Sequence, residues 1–429
     1  MRIDARFLTK IRKEFPAVNK DPSGRKRAFL DNGAGTLVTR RAADREYEAR
    51  LDWSANVGNV FPESEGAGET ILEGRTAVAD LLNAEGPNAI ISGESATSLM
   101  FNLSYALGRD FEGSENVVTT GYEHYTNISP WVELGSNGEI NELRFAEFDT
   151  DSGKLDPVKI QELVDRRTRV ITVTGASNVL GTRTDLKEIG KIARDADAYF
   201  IVDAVHHAPH ELADVHGIGC DFFVFSGYKL FSRHGSFMYA KPEHIRELMP
   251  YKVLSSPERG PEKWECGTRD QAMFAAITGA IDYLAWVGSP SAKRPPRPGS
   301  ARRSRLKTAF KAIGRYEQEL MEMALNGKGK TPGLNDIPGL TLYGPRDIDK
   351  KTGRDPTFSF KLRGYSDRDL SALLWKRHRL AVGAEDYYSR VPAIFKKKTM
   401  VRATFVHYNT KGDVVTLLDA LDRLSRRKR

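Results

Sequence analysis

Lys229 ends the run Phe225-Ser226-Gly227-Tyr228-Lys229, and Asp203 closes an earlier apolar run, Tyr199-Phe200-Ile201-Val202. A lysine amine can hold an aldehyde as a Schiff base, and a carboxylate can keep a pyridine nitrogen protonated so that the ring withdraws electrons. Those are the two protein groups that pyridoxal phosphate chemistry requires. Charged residues at strand ends are commonplace, so the weight falls on the neighbours. Ser226 is placed to donate to a phosphate, and His206 follows Asp203 by three positions.

Further segments fit the same cofactor. Residues 88–97 pass from the apolar run Ala89-Ile90-Ile91 into a helix start, where exposed amides around Ser95 and Ala96, with the Ser95 hydroxyl, can cradle a phosphate. Arg402, in Val401-Arg402-Ala403-Thr404, offers a guanidinium able to grip an α-carboxylate through two parallel bonds.

With these motifs go residues 29–36 (Phe-Leu-Asp-Asn-Gly-Ala-Gly-Thr), Glu123-His124-Tyr125-Thr126-Asn127, residues 177–182 (Ser-Asn-Val-Leu-Gly-Thr) and Gly267-Thr268. From about Phe29 to the C-terminus the chain resembles the class V aminotransferase-like enzymes of the cysteine desulfurase type. Residues 54–61 and Tyr387-Tyr388 are most similar to the subgroup that lacks the nucleophilic cysteine. The resemblance implies the fold type I architecture of pyridoxal phosphate transferases: an α/β large domain around a mainly parallel seven-stranded sheet, plus a smaller α+β C-terminal domain. It also implies a homodimer with shared active sites, in which Thr268 reaches the phosphate of the neighbouring subunit. His124 would stack on the pyridine face and move protons, Asn178 would meet the substrate carboxylate region, and His206 the ring hydroxyl. Asn56 and Tyr387 join Asn178 and Arg402 as expected substrate contacts. His206 stands where desulfurases usually carry glutamine, and Tyr228 where they often carry histidine. Both keep a hydrogen-bonding tip, so Tyr228 stays among the cofactor contacts with ring protonation tuned differently.

These residues need a scaffold, and the chain is long enough for two domains, with 429 residues, 40% hydrophobic and 28% charged. Short β-rich runs, including Asn116-Val117-Val118-Thr119 and Val170-Ile171-Thr172-Val173, alternate with helix-like stretches such as 185–196. That alternation predicts a largely parallel sheet flanked by helices. The expected division is an N-terminal segment, 1–28, packing with the small domain; a large cofactor-binding domain, 29–288; a basic, proline-rich linker, 289–305; and a small domain, 306–429.

The net charge of +8 invites a nucleic-acid reading. Much of the excess sits in Lys293-Arg294-Pro295-Pro296-Arg297, Arg302-Arg303-Ser304-Arg305 and the tail Arg426-Arg427-Lys428-Arg429, without interleaved aromatic residues. A solvated linker and a frayed terminus account for these runs, and no nucleic-acid partner is expected. No membrane partner is expected either, because the N-terminus lacks a hydrophobic core and no apolar stretch reaches spanning length. Two cysteines cannot build a disulfide framework, which suits a reducing, cytoplasmic compartment.

Where a desulfurase places its sulfur-collecting thiol, residues 380–388 carry none, and Glu385, Tyr387 and Tyr388 suggest a loop that selects substrate shape or delivers a proton. Cys220 reads as packing; Cys266, beside Gly267-Thr268, could approach the pocket across a dimer interface. The first functional reading is a β-eliminating C–S lyase on a cysteine derivative, without persulfide formation. An aminotransferase or epimerase, using the same deprotonation by Lys229, is the alternative. Behind these stand a cysteine desulfurase and a non-catalytic interaction protein. No metal is expected.

Overall fold

The computed structural model describes residues 1–292, 295–348 and 353–427. Lys293, Arg294, Lys428 and Arg429, members of the basic runs above, lie outside the described residues.

The large sheet has seven strands: β1 (Ile90–Gly93), β2 (Asn116–Thr120), β3 (Glu142–Ala146), β4 (Thr168–Thr174), β5 (Tyr199–Asp203), β6 (Phe222–Ser226) and β7 (Ser236–Ala240). Their spatial order is β1-β7-β6-β5-β4-β2-β3. Only β7 runs antiparallel to its neighbours, β6 and β1. Helices cover both faces, so β6 is buried at every position and reads as an unbroken apolar run. Two strands of this sheet, β3 and β7, were not read from the sequence. The edge strand β3 carries polar Glu142 and Arg144, and Arg144 pairs with both Glu142 and Asp165; such charges suit an edge but break the apolar signal.

The helix Gln271–Gly288 is almost wholly buried, packed against the helices Arg40–Asp52, Pro62–Leu82 and Ser300–Asn326. The last of these corrects the sequence reading, because it starts inside the run assigned to a solvated linker. Arg302 and Arg303 are buried, not solvated. Arg302 pairs with Asp80 at 2.9 Å, and Arg303 donates to the carbonyls of Leu81 and Ala213. The Arg303 guanidinium thus satisfies the Asp80 and Leu81 carbonyls at the C-terminal end of the helix Pro62–Leu82, where the helix dipole favours cations, while Arg302 meets the Asp80 carboxylate.

A second sheet holds β8 (Leu340–Tyr343), β9 (Thr357–Leu362), β10 (Gly383–Glu385) and β11 (Met400–Thr404) in the order β10-β11-β9-β8, all antiparallel. Arg402 sits on the central strand β11, opposite Ser359 of β9 and Gly383 of β10. The N-terminal helix Ala5–Lys13 lies against this half: Arg12 donates to the Tyr408 carbonyl at 2.5 Å, and Arg2 pairs with Glu319. Ala28–Phe29 then runs parallel to Leu380–Ala381. Among the described residues no helix is long and apolar enough to cross a membrane.

Candidate active site

Because β2, β4, β5 and β6 are parallel, their carboxyl ends share one edge, and the crevice there is where open α/β sheets bind ligands. Asp203 is the last residue of β5; Ser226 is the last of β6, and a single helical turn, Gly227–Lys229, follows it. One cavity beyond these ends is lined by Ser95, Ala96, His124, Asn178, Asp203, His206, Ser226, Tyr228 and Lys229. Nine of the thirteen residues expected from the sequence therefore converge.

Lys229 is buried, and burial, with the field of Arg402 behind it, lowers its amine to about 8. Asp203 is buried too, and burial raises its carboxyl; the only hydrogen bond to that carboxylate among the described residues comes from the Val205 amide at 2.9 Å. A buried carboxylate with one donor is under-satisfied, and a protonated ring nitrogen would complete it. At the other end, Ser95 caps the helix Ala96–Gly108, its hydroxyl accepting from the Ser98 amide at 3.0 Å. That bond engages the hydroxyl, whereas among the described residues the amides of Ala96 and Thr97 open the helix without backbone partners and suit an anion. Ser226 Oγ meets Ser236 Oγ at 2.8 Å at the same end of the sheet. An aldehyde-reactive amine, a carboxylate short of donors and a helix start with free amides together fit pyridoxal phosphate.

His124 Nδ1 accepts from the Thr126 amide at 3.0 Å, so the neutral ring carries its proton on Nε2. Burial, then Lys229 and Arg402, hold it neutral, down to about 4. Its neighbour Glu123 fastens the motif: the fully buried carboxylate accepts from Thr120, from Asn127 at 2.7 Å and from the Thr174 amide at 3.0 Å, joining the ends of β2 and β4. His206 Nε2 meets Thr357 Oγ1 of β9 at 2.8 Å, and burial pushes its pKa down. Tyr228 stacks on His234 with ring centres 4.8 Å apart.

Arg402 enters from the second sheet. It donates to the Asn178 carbonyl at 2.8 Å, lies 3.5 Å from Asp31 and stands over the Tyr387 ring at 3.9 Å. Gly33 permits this approach, since a Cβ there would meet Thr404 Oγ1 at 2.7 Å and Arg402 Cζ at 2.9 Å. Among the described residues three buried polar atoms here have no hydrogen-bond partner: Arg402 Nε, Asn178 Oδ1 and Asp31 Oδ1, the last facing Arg402 only as an ion pair. Donors and acceptors left open around one point mark a place for a zwitterionic ligand.

Three expected residues lie elsewhere. Thr268 and Asn56, both exposed, line a separate surface recess with Val57, Val253 and Gln271, so within one chain neither reaches Lys229. Tyr387 does not line the cavity either. Its side chain is buried, its hydroxyl donates to the Met400 carbonyl at 2.8 Å, and its ring supports Arg402; the exposed ring of the pair belongs to Tyr388. Sequence reading also passed over Thr97, Thr126, Thr174 and Val205, which line the cavity. Thr126 lay within the motif around His124 and Thr97 at the helix start read over 88–97, but Thr174 and Val205 carry no signal in the chain order.

The comparisons agree with this architecture. Residues 28–295 match the family model described as Aminotransferase class-V. A cysteine desulfurase of Yersinia pestis (strain Pestoides F) is 28% identical over 436 residues, covering 98% of each chain. Among solved structures, the apo cysteine desulfurase of Thermococcus onnurineus NA1 superposes with a TM-score of 0.82 at 24% identity, covering 98% of each chain. An Escherichia coli cysteine desulfurase gives 0.80 at 21%, again over 98% of each. With the family model spanning well over half of its length, this chain belongs to the class V aminotransferase family, whose enzymes act on amino acids with pyridoxal phosphate.

Proposed function

We propose that the protein is a β-eliminating C–S lyase acting on a cysteine derivative, without a persulfide on the enzyme. The observation that carries this is the position of the sulfur. The chain has two cysteines, and neither lines the Lys229 cavity. Cys220 is buried, and burial pushes its thiol far up, so it supplies no thiolate. Cys266 lies in the exposed stretch next to Gly267-Thr268, with its thiol 3.6 Å from the Tyr251 carbonyl. Elimination needs no thiol, only an α-proton acceptor and a held carboxylate.

Pyridoxal phosphate, when bound, supplies an electron sink for charge developing at Cα. Asp203 would hold its ring nitrogen; the amides of Ala96 and Thr97, with Ser226, its phosphate; Lys229 its aldehyde; and His206 and Tyr228 would border the ring. Arg402 and Asn178 hold the substrate carboxylate. Lys229 Nζ takes the α-proton, an available base because its pKa is held near 8. His124, neutral and carrying its proton on Nε2, would offer a hydrogen-bond donor to the bound groups. The C–S bond breaks with both electrons leaving on sulfur, which becomes a thiol. Hydrolysis of the three-carbon remainder gives pyruvate and ammonia, so one water is consumed per turnover. An aminotransferase or epimerase would share Lys229 and Arg402 and differ only in product.

We place the protein in the cytoplasm as a homodimer in which Thr268 of one subunit meets the phosphate bound by the other. Support comes from the two free cysteines and from Thr268 and Asn56 sharing one exposed recess. A panel of S-substituted cysteines, assayed for thiol, pyruvate, keto acid and racemised product, tests the reaction. A Cys220→Ala/Cys266→Ala double variant should keep most of its turnover. A catalytically competent persulfide on Cys266, seen by mass spectrometry, would replace the lyase with a desulfurase.

A further inference from the structure

Tyr387 and Tyr388 both adopt left-handed backbone conformations, with φ of 59° and 51°. For bulky residues this is strained, and two in succession persist only where surrounding bonds fix them. Four such bonds are present. Tyr388 N donates to Asp386 Oδ1 at 3.0 Å, Asn178 Nδ2 to the Tyr387 carbonyl at 3.0 Å, Tyr125 N to the Tyr388 carbonyl at 2.7 Å, and Ser389 Oγ to the Glu123 carbonyl at 3.0 Å. The turn is thereby tied to Asn178 and to the motif around His124.

The two rings differ in what they touch. That of Tyr387 is consumed by the scaffold under Arg402, as described above. Tyr388 keeps 63% of its surface exposed, and among the described residues its ring pairs only with His124, at 5.9 Å between centres. A rigidly anchored backbone thus carries a large ring whose apolar surface remains uncovered beside the residue that borders the cavity. Glu385 and Asp386, both exposed, precede it in the turn and make this side of the opening negative.

We propose that Tyr388 is the specificity-determining residue for the substituent on the substrate's sulfur, packing against bulky apolar groups, aromatic ones above all. The two carboxylates disfavour anionic substituents. This inference rests on the C–S lyase reading and narrows its substrates to S-aralkyl and S-alkyl cysteines over cysteine itself. The ring, not the hydroxyl, is the recognising group, because apolar area and ring stacking supply the contact.

The test uses the holoprotein and unreactive carbon isosteres, so that binding is measured apart from elimination. 2-Amino-5-phenylpentanoate stands in for S-benzylcysteine and norvaline for a small substrate; each is titrated by calorimetry. Tyr388→Ala should weaken phenylpentanoate binding roughly tenfold and norvaline less than twofold, whereas Tyr388→Phe should bind both like the wild type. Tyr388→Asn tolerates the left-handed backbone and separates loss of the ring from collapse of the turn; it should behave as the alanine variant does. Equal weakening of both ligands, or of neither, in the asparagine variant would overturn the proposal. Ring-dependent binding without release of thiol and pyruvate from S-benzylcysteine would instead leave Tyr388 in its role and refute the lyase reading.

Discussion

Two clusters of histidine and carboxylate share the turn after β5, and they behave oppositely. On the cavity side, among the described residues, Asp203 has one hydrogen-bond donor, and Asn178 Oδ1, Arg402 Nε and Asp31 Oδ1 have no hydrogen-bond partner. Behind it, Asp355 is fully paired: Oδ1 with Arg183 at 2.8 Å and Oδ2 with His207 at 2.9 Å, while His210 meets Glu317 at 2.9 Å. Burial works to raise the Asp355 carboxyl, yet His207 and Arg183 hold it far below the usual range. His206, His210 and Asp355 even bring ligand atoms within 4.8 Å of one another, but existing pairs already engage Asp355 and His210. Residue type does not separate a ligand site from a buried strut. The pairing of the central carboxylate does: among the described residues Asp355 has a basic partner on each oxygen, whereas Asp203 has a single amide donor. An open oxygen alone is no mark, since Glu317 Oε1 in the rear cluster lacks a hydrogen-bond partner among those residues too.

The comparison predicts that the cavity is functional and dispensable for folding, and that the rear cluster is the reverse. The largest effect belongs to Lys229→Ala, which should cut turnover by roughly 10²- to 10⁴-fold and lose the borohydride-sensitive absorbance band of the cofactor linkage. Stability should not fall with it. Because the folded pKa of Lys229 is depressed to about 8 from 10.5, the unfolded chain binds more protons between those values, and stability rises as pH climbs through that window. Lys229→Met should therefore be more stable than the wild type at pH 7, with the gain fading toward pH 10.5 in denaturant titrations.

Asp355→Ala should do the opposite, destabilising the fold by about 3–5 kcal/mol, because Arg183 and His207 lose their buried partner. If it melts like the wild type, the distinction between the clusters fails. Arg402→Lys comes next: retaining the charge but losing the fork should raise KM for amino acids roughly tenfold, measured across the substrate panel. Reconstitution of apoprotein with pyridoxal phosphate, followed by absorbance, should accelerate with pH to half-maximum near 8, since only the neutral amine attacks. The smallest effect is that of Thr357→Val, which removes the hydroxyl that meets both His206 and Thr404 Oγ1 and should cost about 0.5–1.5 kcal/mol of stability per bond lost.

Much of this was legible in the chain. The runs that became β5 and β6 are apolar on both faces, so they stood out, and the residues closing them, Asp203 and Ser226, were placed within a residue by where the apolar character stops. The edge strand β3 was missed because Glu142 and Arg144, at alternate positions, interrupt the continuous apolar run by which the buried strands stood out. Arg302 and Arg303 looked like solvated linker because composition cannot reveal that Asp80 and the carbonyl of Leu81, more than two hundred residues earlier, lie beside them.

The sequence by itself determined which groups are on offer: an amine, a carboxylate and a helix start follow from residue types at strand ends, where local pattern fixes position. It also determined that no thiol stands in residues 380–388. Only the tertiary structure decided which of two adjacent tyrosines faces outward, that Asn56 and Thr268 lie away from Lys229 in a single chain, and that Thr357 reaches His206. Those outcomes depend on backbone dihedrals and on contacts between β9, β11 and the end of β5, which are remote in the chain and leave no periodic signal in it.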